Sequence, residues 1–198
     1  MAILIARHAE TEQGAARIVQ DPNARLSTLG RSQAELLAQR VGQLGVGRVL
    51  SSDLARAVET ARIVAGHISV QVELDPLLRE RDFGELRGIP YSEFTFNPFA
   101  VDYVPPQGES WSAFFERVAL AWRRITETAA TTPGSLLVIT HGLVCQALAE
   151  RHWQPSDVEV SPQSWVNTAL TEVEPVPPWK IVRLNCAAHL GLNDRGHR

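Results

Sequence analysis

Arg7 and His8 close a short apolar run, "ILIA", at the start of the chain. Arg56 comes soon after "VLSS", His141 directly follows "SLLVIT", and Glu80 follows "VELDPLLR", with Asp82 and Glu85 close behind. Two imidazoles, two guanidiniums and a carboxylic acid suit phosphoryl transfer. A neutral imidazole attacks phosphorus without first losing a proton. Arginines neutralise phosphate oxygens and stabilise charge that develops on them. Amides opening a helix after His141 would add donors for an anion. A carboxylic acid can protonate the leaving oxygen and then activate water. The chain shows no carboxylate cluster and no Cys/His ligand spacing, so this chemistry requires no metal and no other cofactor.

These residues converge only if the right elements carry them. "ILIA" (3–6), "RVLSS" (48–52), "SVQVEL" (69–74) and "SLLVIT" (135–140) read as short buried strands separated by helical patterns, as in an α/β sheet. Ser27 is placed to cap a helix with Leu29, Leu36, Leu37, Val41 and Leu44 on one face, ending near Gly45. Ser52 is placed to cap a second, with Leu54, Ala57, Val58, Ala61 and Val64 inward. Over 109–128, Trp111, Phe114, Phe115, Val118, Trp122 and Ile125 recur at three- and four-residue spacing, a core-facing stripe. A fourth helix is expected from about Gly142 to His152, and strands 168–174 and 179–185 form an edge hairpin around "PVPP". Ligands of open α/β sheets bind beyond the carboxyl ends of the strands. Arg7, His8, Arg56, Glu80 and His141 all fall near that rim.

Residues 81–108 break the rhythm. They hold Phe83, Tyr91, Phe94, Phe96, Phe99 and Tyr103 among four prolines, and a connection this long reads as a lid or binding loop. The expected architecture is one domain over 1–186, with 81–108 as a cap and 187–198 as a mobile tail. The whole chain has 198 residues, 44% of them hydrophobic, and a formal net charge of -3. That balance gives no global basic field, so neither nucleic acid nor an anionic membrane is expected as a partner. Two cysteines, Cys145 and Cys186, make no disulfide framework. With no signal-type or membrane-length apolar run, the expected location is the cytoplasm. His67, His152, His189 and His197 have no supporting context.

The motifs "ARHAET", "SSDLARAVETA", "LRERDFGELRG", "PPQGES" and "VITHG" occur in an order and at spacings that resemble the histidine phosphatase superfamily, also called the phosphoglycerate mutase-like family. They span roughly residues 3–145. The resemblance implies a three-layer α/β/α sandwich with a mainly parallel sheet and an antiparallel edge. It implies that His8 is the phosphorylated nucleophile, that Arg7, Arg56 and His141 hold the phosphate, and that Glu80, rather than Asp82 or Glu85, is the proton donor. It also places Gln20 on the substrate side. The chain departs from the family pattern at several points. Ala9 stands where glycine is usual, Gln13 and Gly14 where an asparagine often contacts phosphate, and Asp21 where glycine often follows Gln20. "FGELRG" lacks the common tryptophan and second acid.

The expected activity is hydrolysis of a small phosphate monoester through a phosphohistidine. A mutase of the same family is the first alternative; known mutases carry longer chains than this one, which is short after His141. A catalytically weak member that binds phosphorylated metabolites or a partner is the second, motivated by Ala9 and the missing asparagine. At Ala9, a methyl costs little at negative φ and much at positive φ. The expectation is negative φ, with the methyl clear of the phosphate.

Overall fold

The computed structural model describes residues 1–154 and 165–192; the expected tail beyond residue 192 lies outside the described residues. Among the described residues, six strands form one sheet: β1 (Ile3–Arg7), β2 (Val46–Ser51), β3 (Val72–Leu74), β4 (Ser135–Thr140), β5 (Leu170–Val173) and β6 (Ile181–Cys186). Their order is β3-β2-β4-β1-β5-β6. The first four run parallel, and β5 and β6 join antiparallel beside β1. This is the expected mainly parallel sheet with an antiparallel edge. β3 begins later than expected because the preceding helix runs to Ile68 and ends on Ser69 in the left-handed region, with φ 56°.

Alternation along β1 builds two cores. Ile3 and Ile5 face one side with Leu136, Val138 and the helices α4 (Trp111–Ala130) and α5 (Gly142–Arg151). Leu4 and Ala6 face the other with Leu137, Ile139 and the helices α2 (Thr28–Val41) and α3 (Ala55–Ile68). A single turn, α1 (Glu12–Ala15), lies between β1 and α2. The layers are helix, sheet, helix.

Ser27 caps α2 as expected, its hydroxyl accepting from the Gly30 amide at 2.9 Å. The buried stripe of α2 differs from the expected one: Ala34, Leu37, Ala38 and Val41 face inward, while Leu29 and Leu36 are exposed. Ala38 on α2 shares a core cluster with alanines on α3 (Ala57, Ala61 and Ala65), and Ala34 packs against Ala9 and Leu26, so the packing needs small residues that a count of large apolar side chains passes over. Ser52 does not cap α3. Leu54 occupies the cap without a side-chain bond, and Arg56 and Thr60 join Ala57, Ala61 and Val64 on the buried stripe in place of Leu54 and Val58. Helices α4 and α5 match expectation, with Ser110 capping α4. The segment read as a tail is structured at its start: Ala187 is buried and Ala188–Leu190 forms a 3-10 turn.

Residues 81–108 contain two short 3-10 turns and an apolar cluster. Arg81 stitches this cap to the domain. Its guanidinium donates to the carbonyls of Glu109, Pro98 and Tyr103 and lies 4.0 Å from the Trp111 ring centroid.

Gly30 lets α2 approach the loop that follows His8, where an added Cβ would sit 2.0 Å from the Glu10 carbonyl oxygen. Gly30→Ala is therefore expected to lower the unfolding free energy by about 2–3 kcal/mol, because backbone atoms must move. Urea titration followed by circular dichroism checks this.

Candidate active site

The site begins with strand pairing. β1 and β4 are parallel neighbours with Arg7 opposite Thr140, and the His8 amide donates to the Thr140 carbonyl at 2.8 Å. The next residue of each chain segment is a histidine, so the two rings meet with centroids 5.1 Å apart. From the far side of this rim, α3 brings Arg56, whose Nε donates to His8 Nε2 at 3.1 Å. Glu80 arrives on the turn after β3. All five residues of the sequence-predicted cluster therefore stand together. His8, Arg56 and His141 are buried, and Arg7 and Glu80 partly so.

His8 Nδ1 lies 2.7 Å from the Ala9 carbonyl oxygen. A carbonyl only accepts, so Nδ1 carries the proton and Nε2 carries the lone pair. Burial, then Arg56 and Arg7, hold the imidazole well below its ordinary pKa, so it is neutral at pH 7. His141 is held low by burial, Arg56 and His8. Its Nε2 lies 2.8 Å from the Ser52 hydroxyl, which also accepts from the Leu54 amide. Among the described residues, His141 Nδ1 and Arg7 Nε are buried without hydrogen-bond partners. An anion seated on this cluster would supply acceptors.

Glu80 is held at both oxygens. Oε1 accepts from the Arg81 amide at 3.1 Å, and Oε2 from the Leu143 amide in the first turn of α5 at 3.2 Å. Burial raises its pKa, against the pull of those amides and of Arg56 and Arg7. Arg117, on α4, fixes the turn that carries it. Its guanidinium bonds the carbonyls of Leu77, Arg79 and Glu80 and pairs at two points with the Glu109 carboxylate, at 2.9 and 2.7 Å. Glu109 precedes the Ser110 cap of α4 and anchors Arg117. The other nearby acids are occupied away from His8: Asp82 by Arg87, Glu85 by Gln107 and Glu10 by Ser27.

The departures from the family pattern form a local network. Ala9 has no positive φ. Its methyl packs against Leu26, Ala34 and Ile63, on the side away from the cavity, and its amide donates to Thr60. Gln13 and Asp21 bond reciprocally: Gln13 Nε2 donates to the Asp21 carboxylate, and Gln13 Oε1 accepts from the Asp21 amide. The Asp21 carbonyl accepts from Arg56 Nη1 at 3.1 Å. Gln20 lines the cavity, its Oε1 accepting a hydrogen bond from the Thr11 hydroxyl.

The cluster opens into a cavity of about 580 Å³, with Phe83, Tyr91 and Phe99 of the cap on its wall and Arg79 and Arg87 at its edge. Several supporting residues carry no sequence signal for their role here. Arg117 is an ordinary polar residue in the sequence, Ser52 reads there as a helix cap, and Asp21 only as a departure from the family pattern. The 165–168 segment grips the end of β1: Trp165 accepts from Arg7 Nη1, Asn167 donates to the His8 carbonyl, and the Thr168 amide donates to the Arg7 carbonyl. Among the described residues, no group of three His, Cys, Asp or Glu side chains is arranged to hold a metal ion, and no helix is long and apolar enough to cross a membrane.

A family model described as histidine phosphatase superfamily (branch 1) matches residues 3–186. Phosphoglycerate mutase-like protein 4 of Arabidopsis thaliana is 35% identical over 163 residues, covering 75% of this chain and 70% of that protein. A probable phosphoglycerate mutase of Serratia proteamaculans is 35% identical over 158 residues, covering 74% and 72%. Among solved structures, Bacillus stearothermophilus YhfR matches with a TM-score of 0.82 at 24% identity, covering 96% of this chain and 98% of that one. A mycobacterial glucosyl-3-phosphoglycerate phosphatase bound to VO3 matches with a TM-score of 0.73 at 22% identity, covering 87% and 90%. At these identities the structural likeness is one of fold.

The two histidines make folding pH-dependent. Both titrate near 6.5 in an unfolded chain but well below it when folded, so the unfolded state binds more protons in acid. Their contribution to stability is fully present above about pH 6.5 and is lost as pH falls. His189, lowered to about 4 by burial and Arg40, acts in the same sense, and Glu80 in the opposite one. The melting temperature is expected to drop between pH 7 and 5, and to drop less steeply in a His8→Asn/His141→Asn variant. Equal slopes would mean that the two imidazoles are not held neutral.

Proposed function

The chain belongs to the histidine phosphatase superfamily, branch 1, and from that premise we propose that it hydrolyses phosphate monoesters through a phosphohistidine on His8. The observation that carries this is the locked tautomer of His8. With its proton committed to the Ala9 carbonyl, the ring keeps the Nε2 lone pair beside the Arg56 guanidinium, in the buried cluster that lines the cavity.

In the first step Nε2 attacks phosphorus and the bond to the ester oxygen breaks. Glu80, whose pKa burial raises, acts as the acid and gives its proton to the departing alkoxide. Arg7, Arg56 and His141 stabilise the transferring oxygens, and the loss of the Arg56–His8 contact is compensated by the bond to phosphate. In the second step the Glu80 carboxylate takes a proton from water. The water oxygen attacks phosphorus, the P–N bond breaks, and the pair of electrons returns to Nε2. No group outside the cluster is needed for balance.

The names of the two curated relatives favour a second reading, phosphoryl return to another hydroxyl of the same substrate, as a phosphoglycerate mutase performs it. Hydrolysis is preferred because the cavity edge offers little to a glycerate carboxylate: Arg79 is paired with Asp53 and Arg87 with Asp82. A binding-only role loses its motive, since the Ala9 methyl lies in the core and Gln13 serves to brace Asp21.

Incubation with 3-phosphoglycerate followed by phosphorus NMR separates the first two readings: free phosphate supports hydrolysis, and 2-phosphoglycerate as the main product supports the mutase. A labelled substrate is expected to leave an acid-labile, base-stable phosphoryl group on the protein. His8→Ala is expected to remove that label and turnover while the circular dichroism spectrum is unchanged; label surviving the substitution would sink the assignment. Gln13→Ala is expected to lower kcat about fivefold, the worth of one orienting hydrogen bond, with little change in KM.

A further inference from the structure

A second, smaller chamber of about 220 Å³ adjoins the catalytic cavity. It is walled by Val101, Trp111, Phe114, Phe115 and Ala147, and it shares Phe99, Leu143 and Gln146 with the larger cavity. The shared wall is the one beside Glu80, because the Leu143 amide holds the Glu80 carboxylate. If Glu80 protonates the leaving oxygen, the rest of the leaving group extends along Leu143 and Phe99 toward this chamber. We propose, resting on the phosphatase assignment above, that the chamber is a leaving-group subsite and that the preferred substrates are phosphate monoesters of alcohols ending in an aromatic or similarly apolar group.

The chamber's chemistry supports one class of occupant. Trp111 and Phe115 stack at 5.6 Å, Phe114 meets Trp111 edge-on, and the guanidiniums of Arg81 and Arg151 cover the Trp111 and Phe115 rings at 4.0 and 3.6 Å, so these residues form a fixed, mostly apolar wall for a guest. A cavity of about 150 Å³ accepts benzene, so this volume holds one or two rings. Among the described residues that line it, the one charged group is the Glu150 carboxylate, which accepts a 2.8 Å bond from Gln146. A carboxylate there repels a second phosphate or an acid on the leaving group and tolerates a neutral one. Val101 is 89% exposed, so the chamber has an open side through which a longer guest can project. Sugar phosphates and phosphoglycerates would place hydroxyls and carboxylates against a wall that is mostly apolar.

The test compares kcat/KM for 3-phenylpropyl phosphate, propyl phosphate and 3-phosphoglycerate on the intact protein. All three release an alkoxide from saturated carbon, so differences in leaving-group acidity are small. The phenyl compound is expected to exceed propyl phosphate at least tenfold, in the range that apolar pocket contacts provide. Val101→Asp, at an exposed position, and Phe115→Asp, checked by its melting temperature, are each expected to reduce the phenylpropyl-to-propyl ratio several-fold. Turnover of all three without a phenyl preference, a preference for 3-phosphoglycerate, or a ratio unmoved by both substitutions would overturn the subsite and leave the phosphatase assignment standing. Turnover of none would overturn the phosphatase assignment, and the subsite with it.

Discussion

Strands β1 and β4 lie side by side, parallel and in register, so that the chain after Arg7 and the chain after Thr140 emerge at the same level. That pairing brings His8 and His141 together and gives every other polar group at the rim something to converge on. β4 is buried along its whole length and β1 nearly so, so both faces need apolar cover. The helices that supply the cover also deliver chemistry: α3 carries Arg56 on its buried stripe, and the start of α5 presents the amide that holds Glu80. The strand pair could not slip by one residue without exchanging Ile3 and Ile5 for Leu4 and Ala6 in the two cores. The geometry of the histidines is therefore enforced by hydrophobic burial far larger than any single polar contact.

The rim gathers charges that burial disfavours. Desolvation lowers the pKa of Arg7 and brings Arg56 down to about 10, while it raises that of Glu80. Each is tolerable because the others are present: Glu80 supports both arginines, and both arginines restrain Glu80. What remains unsatisfied, Arg7 Nε and His141 Nδ1, is donor rather than acceptor in character once Ser52 donates to His141. Two guanidiniums and these two donors are groups that a bound dianion would satisfy.

Two clamps keep these groups in place, one on each side. Gln13 and Asp21 brace the carbonyl that meets Arg56, and Glu109 and Arg117 brace the turn that carries Glu80. Both join segments distant in sequence. The cap adds a third device, Arg81, whose guanidinium ties the carbonyls of the aromatic segment to the start of α4. The aromatic residues divide accordingly: Phe94, Phe96 and Tyr103 mainly pack on one another, while Phe83, Tyr91 and Phe99 reach the cavity wall.

The order and type of the main elements were legible from hydrophobic period alone, and so was the rim on which Arg7, His8, Arg56, Glu80 and His141 fall. Strand runs of β-branched residues and the aromatic stripe of α4 are local signals, and a residue at a strand end is visible without knowing the fold. Tertiary structure alone decided how the helices turn about their axes and which polar residues serve the site. Close approach of α2 and α3 is made by alanines, and that of α2 to the loop after His8 by Gly30; these contribute little to a count of large apolar side chains, so Leu29 and Leu36 were misplaced. Ser52 reads as a helix cap by spacing, yet its hydroxyl is claimed by His141 across the sheet. Asp21, Arg117 and Asn167 act through partners 8 to 159 residues away in sequence. Ala9 is the sharpest case. Sequence identified the departure and the two conformations that would make it costly or harmless, but only the packing of Leu26, Ala34 and Ile63 around its methyl decided between them.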